Sequence, residues 1–269
     1  MIDSLVTMFS FPFMVRAAIV GILIAFCAAL IGVPLVLRKN SMIGDGLSHV
    51  GFGAFAIASV FGLAPLEFAI PIVMVASFFI LRLTEGNKVH GDAAIALISV
   101  SALAIGTFIV SLAGSNVDIN NYLFGSILSL NRTDIIVAVI LSVLVIMLYF
   151  FSHHQIFSIT FDETFAKSIG VNTKLYRFIF ACLCSITVVL GMRLMGALLI
   201  SGLIIFPVLS ARQISKNYRA TIISSTIIAI LSFIVGLAAS FTLDTPTGAT
   251  IIIVSLVFFV ISKITSWIF

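Results

Sequence analysis

Asp45 and His49 stand four residues apart in Ser41-Met42-Ile43-Gly44-Asp45-Gly46-Leu47-Ser48-His49-Val50-Gly51-Phe52-Gly53, at the head of an apolar stretch. Four residues turn a helix by about 400°, so carboxylate and imidazole share one face, one turn apart. Together they are a ligand pair for Zn²⁺ or Mn²⁺. Ionisable groups within a membrane cost about 2.5–3.5 kcal/mol at a span's centre, so they line polar paths. The same residues allow a second reading. Asp45 caps the N-terminus of a span, where negative charge is favoured, and His49 bonds a neighbouring helix. On the residues alone both readings stand. The glycines bear on the choice: Gly44 and Ser48 are four apart, Asp45, His49 and Gly53 continue one stripe, and Gly46 and Gly51 add to it. Small residues let membrane helices approach closely, which suits a central helix beside a narrow passage.

Other polar residues carry less. Asp92, behind Lys88, His90 and Gly91, opens a later apolar run from the same side; it is an N-cap or a third group on the path. His153-His154 closes another run, where contact with water is expected, and Asp244 lies in a turn marked by Pro246 and Gly248. Cys27, Cys182 and Cys184 sit inside apolar runs and read as core residues.

These groups need a scaffold, and composition supplies its class. Of 269 residues, 61% are hydrophobic and 9% charged; a soluble domain carries about 25% charged residues. With a mean hydropathy of +1.31, lipid must be part of the solvent. Apolar runs of roughly 20 residues make helices the spanning element, since a helix satisfies its own backbone in hydrocarbon. The expected fold is an all-α polytopic membrane protein of 8–9 transmembrane helices in one domain, 1–269. Nine runs fall at about 15–37, 44–62, 64–82, 92–113, 134–152, 174–192, 194–211, 219–241 and 248–267. Residues 2–14 read as an interfacial lead-in without the basic start of a signal peptide.

Basic residues orient the chain. With the N-terminus outside and the C-terminus cytoplasmic, eleven of them (Arg38, Lys39, Arg82, Lys88, Lys167, Lys174, Arg177, Arg212, Lys216, Arg219, Lys263) fall inside. Arg16, Arg132 and Arg193 stay outside. Asp45 then opens its span from the cytoplasmic side. Two longer connections remain. Residues 115–134 are polar at both ends around an apolar centre, and include the acceptor pattern Asn131-Arg132-Thr133. On the other side, Thr160 and Glu163 form a capping box and Gly170 a helix stop, so one short helix is expected at about 161–169.

Some chemistries are excluded. No G-x-x-x-x-G-K-[ST] loop occurs, so the chain has no Walker A phosphate site. An intramembrane aspartyl protease needs Gly-x-Gly-Asp, and Met42 and Val89 stand where its first glycine belongs. No nucleophile–base arrangement is evident, so no enzyme is expected. A self-contained secondary transporter would show an internal repeat with paired broken helices, and none is convincing.

Taken in order, GDGLSHVGFGAFAIA, Asp92-Ala93-Ala94-Ile95, NNYLFGSIL, FDETFAKSIGVN, MRLMGALLISGLIIFPVLSAR and DTPTGA resemble the permease subunits of the zinc/manganese/iron group of metal-uptake ABC transporters. The resemblance covers nearly the whole chain. It implies a fold similar to the vitamin B12 and siderophore permeases, with GALLISGLIIFPVLSAR as a broken helix. It further implies a homodimer in a bacterial inner membrane, a cytoplasmic ATPase dimer that binds the ATP, and an extracytoplasmic metal-binding protein. No permanent cofactor and no nucleic acid are implied. The family motif maps onto Gly44, Asp45, Leu47, Ser48 and His49, with Asp45 and His49 on the metal path. Phe161, Asp162, Glu163, Ala166 and Gly170 match the coupling helix that docks into the ATPase. A two-fold axis beside the second span would join two Asp45/His49 pairs into four ligands. Zinc is expected ahead of manganese or iron on overall likeness, because Asp plus His suits either of the first two.

Overall fold

The computed structural model describes residues 10–83, 91–114 and 132–268. The expectations for residues 1–9, for His90 and for the 115–131 connection with Asn131 lie outside the described residues. Among the described residues eleven helices follow one another: α1 Pro12–Leu37, α2 Ile43–Val60, α3 Pro65–Leu83, α4 Gly91–Leu112, α5 Arg132–Phe151, α6 His153–Phe161, α7 Glu163–Ser168, α8 Thr173–Met195, α9 Ala197–Ile214, α10 Tyr218–Leu243 and α11 Thr247–Ile268. Among the described residues, all but α6 and α7 are long and apolar enough to cross a membrane, giving nine candidate spans. The all-helical polytopic class is as expected, and the span edges fall within a few residues of those read from the sequence.

Burial sorts the spans into two groups. About three quarters of the apolar windows of α1, α2 and α8 are inside the protein, against 22% for α4, α5 and α11. The first three therefore form the centre and the last three its periphery. The centre is made of small residues. Gly44 of α2 faces Ile204 of α9, Gly46 faces Ile95 of α4, Gly51 faces Met192 of α8, and Gly53 lies against the backbone of Ala102 in α4. So α2 is approached on several sides, as its composition required.

At the α2/α4 crossing the approach is closest. A Cβ on Gly53 would lie 2.5 Å from the Ala102 carbonyl oxygen, and one on Gly106 would lie 2.6 Å from Gly53 Cα. Backbone cannot yield as a side-chain tip can. Gly53→Ala or Gly106→Ala is expected to cost about 1–3 kcal/mol, read as a lowered thermal midpoint of the purified protein. An unchanged midpoint in both variants would rule out this crossing.

Two local expectations are corrected. The break assigned to the GALLISGLIIFPVLSAR stretch falls at its first residue rather than at its proline. Helix α9 runs unbroken through Pro207, and the interruption is Gly196, at φ 90 and ψ 156, between α8 and α9. Side chains rarely adopt that conformation, so glycine is required there. Arg193, expected in a connection, belongs to the last turn of α8 and pairs with Asp134 of α5 at 3.8 Å. Nor does the segment after α5 hold one short helix capped by Thr160. It holds two. Thr160 lies within α6, donating to the Ile156 carbonyl at 2.6 Å. Asp162 takes the capping role instead, its Oδ1 accepting from the Phe165 amide at 2.9 Å. The α7 helix therefore starts at Glu163, and Phe161 closes α6. Gly170 does end the segment: at φ 85 it lets its own amide reach Lys167 O and the Val171 amide reach Ala166 O.

Asp244, too, proves structural, ending α10 in the left-handed conformation at φ 52. Cys27 and Cys184 are buried, Cys182 is half-buried, and all three are free thiols. His154 is exposed, whereas His153 is packed between the rings of Tyr149 and Tyr218 at 5.9 and 5.7 Å.

Candidate functional site

Asp45 lies in the first turn of α2, one turn before His49, and their side chains meet: Oδ2 is 3.6 Å from Nε2. Neither is sealed in the interior, with 43% and 37% of the side chain accessible. Helix α9 supplies a third group, the Ser201 hydroxyl, which donates to Asp45 Oδ1 at 3.4 Å. The rest of the stripe packs inward: Ser48 is fully buried and donates to the Gly44 carbonyl at 2.9 Å.

Asp45 stands in the first turn of α2, where negative charge is favoured, and also meets His49 and Ser201, so the geometry serves both readings. Position Met42 is the N-cap of α2 and makes no side-chain cap bond. The Asp45 carboxylate is turned to His49 and Ser201 rather than to the amides of its own first turn.

The level of the pair along its neighbours follows from the packing. A chain hairpin at Gly196 joins α8 to α9, and Gly51 lies beside Met192, close to that hairpin, while Gly44 lies beside Ile204. Moving along α2 thus moves backwards along α9, so the two run antiparallel. Helix α9 is about 27 Å long, with Ser201 and Ile204 about 6 and 10 Å from its start. Asp45 and Gly44 touch those two residues. The first turn of α2 therefore stands within the first half of α9, not level with its far end.

A cavity of about 490 Å³ opens on the pair. Met42, Asp45 and His49 form one wall, Ser201 and Phe206 of α9 another, and Ile252 of α11 a third. The lining is otherwise apolar, so the carboxylate and imidazole are its chemistry. Among the described residues no group of three or more His, Cys, Asp or Glu side chains converges. One chain therefore offers two metal ligands and a hydroxyl, which is less than a closed tetrahedral site. Asp92 is not brought to the cavity. It is exposed in the first turn of α4, while α4 meets α2 through Ile95 and Ala102. Gly44 and Ser48 pack behind the pair, and Gly53 serves the α4 crossing. Sequence reasoning missed Ser201, and no local signal could have found a partner 156 residues away.

The second assembly of charge is at the opposite side of the chain's logic, on α7. One carboxylate, Glu163, is approached by Lys167 at 2.9 Å, Arg38 at 3.3 Å and Arg177 at 3.5 Å. Burial alone would raise its pKa, but Lys167, Arg177 and Arg38 outweigh that and hold it below the ordinary carboxylate range. Glu163 thus faces the body of the protein and straps α7 to the ends of α1 and α8. Asp162 caps α7, Ala166 is fully buried, and Phe161, Phe165 and Ile169 are exposed at 62%, 57% and 55%. The outward surface of this segment sets these apolar side chains among the exposed Asp162, Thr164, Lys167 and Ser168.

Comparison with known proteins gives a consistent picture. Residues 10–266 match the family model described as the ABC 3 transport family. The chain is 30% identical over 253 residues to the high-affinity zinc uptake system membrane protein ZnuB of Haemophilus influenzae, covering 94% of this chain and 97% of that protein. It is 28% identical over 252 residues to the manganese import system permease protein ScaB of Streptococcus parasanguinis, covering 94% and 90%. Among solved structures, PsaBC from Streptococcus pneumoniae in complex with Fab superposes with a TM-score of 0.86 at 26% identity, covering 97% of this chain and 95% of that one.

Proposed function

The chain belongs to the ABC 3 transport family, and from that premise we propose that it is the membrane-spanning subunit of an ATP-driven importer of a divalent transition metal, zinc before manganese or iron. One observation carries the reading to this chain's own residues: an Asp45/His49 pair, backed by Ser201, opens to a cavity inside an otherwise apolar helical body. A carboxylate and an imidazole are borderline ligands that suit Zn²⁺ and Mn²⁺ alike. Relatives named for each metal fit that ambivalence.

Two ligands hold an ion weakly, which suits passage, because a transported ion must also leave. A second copy of the chain, related by a two-fold axis beside α2, would add its own pair and make a four-ligand way-station. The metal is the cargo, handed over by an extracytoplasmic binding protein on the side of the N-terminus. ATP is bound and hydrolysed by partner subunits on the cytoplasmic side, where α7 with its exposed Phe165, and Phe161 and Ile169 on either side of it, meet them. Asp162 and Glu163 set the start and the seat of that helix, Ala166 packs it, and Gly170 ends it.

Cells depleted of metal, expressing the complex, test this through uptake of radiolabelled zinc with manganese and iron(II) as competitors. Uptake is expected to be saturable, competed by unlabelled zinc first, and abolished when the copurifying ATPase carries a disabled ATP site. Uptake that persists without a working ATPase would instead make the chain a self-contained transporter and end the proposal.

A further inference from the structure

A carboxylate and an imidazole accept Zn²⁺ and Mn²⁺ alike, so Asp45 and His49 do not themselves choose between the two ions. The walls around them bear on the choice. On α9, Leu198, Ser201, Gly202 and Ile205 all line the cavity, at the i, i+3, i+4 and i+7 spacing of one helix face. The one hydroxyl of that stripe, Ser201, is engaged with Asp45 at 3.4 Å and with the Ala197 carbonyl at 3.0 Å. Leu198 stands one turn before it, 45% exposed, and Ile205 one turn after. Phe206 and Ile252 of α11 close the next side: a Cβ on Gly202 would lie 3.7 Å from Phe206 Cδ2 and 3.0 Å from Ile252 Cγ1. Met42 adds a thioether, which is only a weak acceptor. The described walls around the ionisable pair are thus built of alkyl groups, one ring and a thioether.

An ion that keeps part of its hydration shell must set those waters against these walls. Each water has hydrogens to donate, and a donor turned to an apolar group loses the bond that it made in bulk water. The two ions differ in the waters they keep. Zinc settles into four-coordinate sites of nitrogen, sulfur and oxygen ligands. Manganese belongs with the ions held octahedrally by oxygens, water among them. The four ligands of two Asp45/His49 pairs satisfy the first ion and leave the second two short. We propose that Leu198, Ile205, Phe206 and Ile252 are specificity-determining residues, which select zinc over manganese by leaving the waters that manganese retains without hydrogen-bond partners. This selection rests on Asp45 and His49 being the metal path, and it puts the choice of ion in residues that supply no ligand.

The complex with its ATPase, reconstituted in lipid vesicles and given ATP with an equimolar mixture of labelled zinc and manganese, tests this through the ratio of the two ions accumulated. The unmodified complex is expected to favour zinc. Phe206→Tyr with Ile252→Thr keeps the shape of both walls and adds two hydroxyls. That pair should lower the zinc-to-manganese ratio about tenfold, the worth of one recovered hydrogen bond to a charged group (about 1.5 kcal/mol) at 1.4 kcal/mol per tenfold. Phe206→Leu with Ile252→Val, which changes volume but not polarity, should keep the original ratio. Should the hydroxyl variants fail to fold, Leu198→Gln, at an exposed position, should lower the ratio about fivefold, as one neutral hydrogen bond does. A ratio unchanged by the hydroxyl pair or by Leu198→Gln, in complexes that still take up zinc, would overturn the proposal and leave the metal path standing. So would an equal drop in the Leu/Val pair, which would make cavity size the selector, or an unmodified complex that accumulates manganese as readily as zinc. A complex that accumulates neither ion with ATP would instead remove the metal path itself, and the selection with it.

Discussion

Asp45→Asn and His49→Ala should each lower metal uptake at least about 100-fold, with the protein folded and present at its normal level. The magnitude follows from the ligand count. Disturbing groups that merely orient metal ligands costs about 10–100-fold, and here half of one chain's two-ligand set is removed. Asn is the informative replacement at position 45. It keeps the shape and an oxygen for the Ser201 hydroxyl now 3.4 Å away, and gives up only the charge, whose worth near a helix N-terminus is about 0.3–1 kcal/mol. A structural role for Asp45 would therefore be preserved, whereas a role as anionic ligand would not. Ser201→Ala, which removes only the group behind the carboxylate, should cost no more than about tenfold. Uptake is measured with labelled zinc at equal membrane levels of each variant. Normal uptake by both Asp45→Asn and His49→Ala would remove the pair from the metal path.

What the sequence could say about this site depended on distance along the chain. The shared face of Asp45 and His49 is a property of one helical turn, so spacing alone revealed it. The nine spans were legible for a similar reason, since lipid demands a continuous apolar run whatever the tertiary arrangement. Three things were not legible because they depend on which helices meet. Ser201 comes from a helix more than a hundred residues later. The level of the pair along α9 follows from the contact of Gly44 with Ile204, not from where α2 begins in the sequence. Asp92 sits at the start of a similar apolar run, yet α4 packs on α2 through a different face. The capping error has its own cause. Thr160 and Asp162 are both competent caps, and the choice between them turns on α6, whose last turn claims the Thr160 hydroxyl.

The same lesson sharpens the expectation for Glu163, which the resemblance places in the helix that docks into the ATPase. In the fold it is the shared anion of Arg38, Lys167 and Arg177. Glu163→Lys would remove that anion and add a fourth cation among the three, so α7 should lose its seat. Transport is expected to fall at least about tenfold, because a fourth cation set against three is repelled by them and 1.4 kcal/mol is a factor of ten. Glu163→Gln, which keeps the shape and some hydrogen bonding, should cost only a few-fold, since partly exposed pairs contribute about 1 kcal/mol or less. Phe165→Ala separates seating from docking: it should weaken copurification of the ATPase while leaving the permease's thermal midpoint unchanged, whereas Glu163→Lys should lower both. The pH dependence has a fixed sign. The pKa of Glu163 in the folded protein lies below its ordinary value of 4.5, so its stabilising contribution is fully present above that value. It is lost as pH falls through the lower, folded-state value. Wild type should thus lose thermal stability more steeply than Glu163→Gln on acidification below about pH 4.5, measured by unfolding midpoints of the two proteins side by side. Parallel acid profiles would show that Glu163 does not hold α7, and its carboxylate would then be free to meet the ATPase directly.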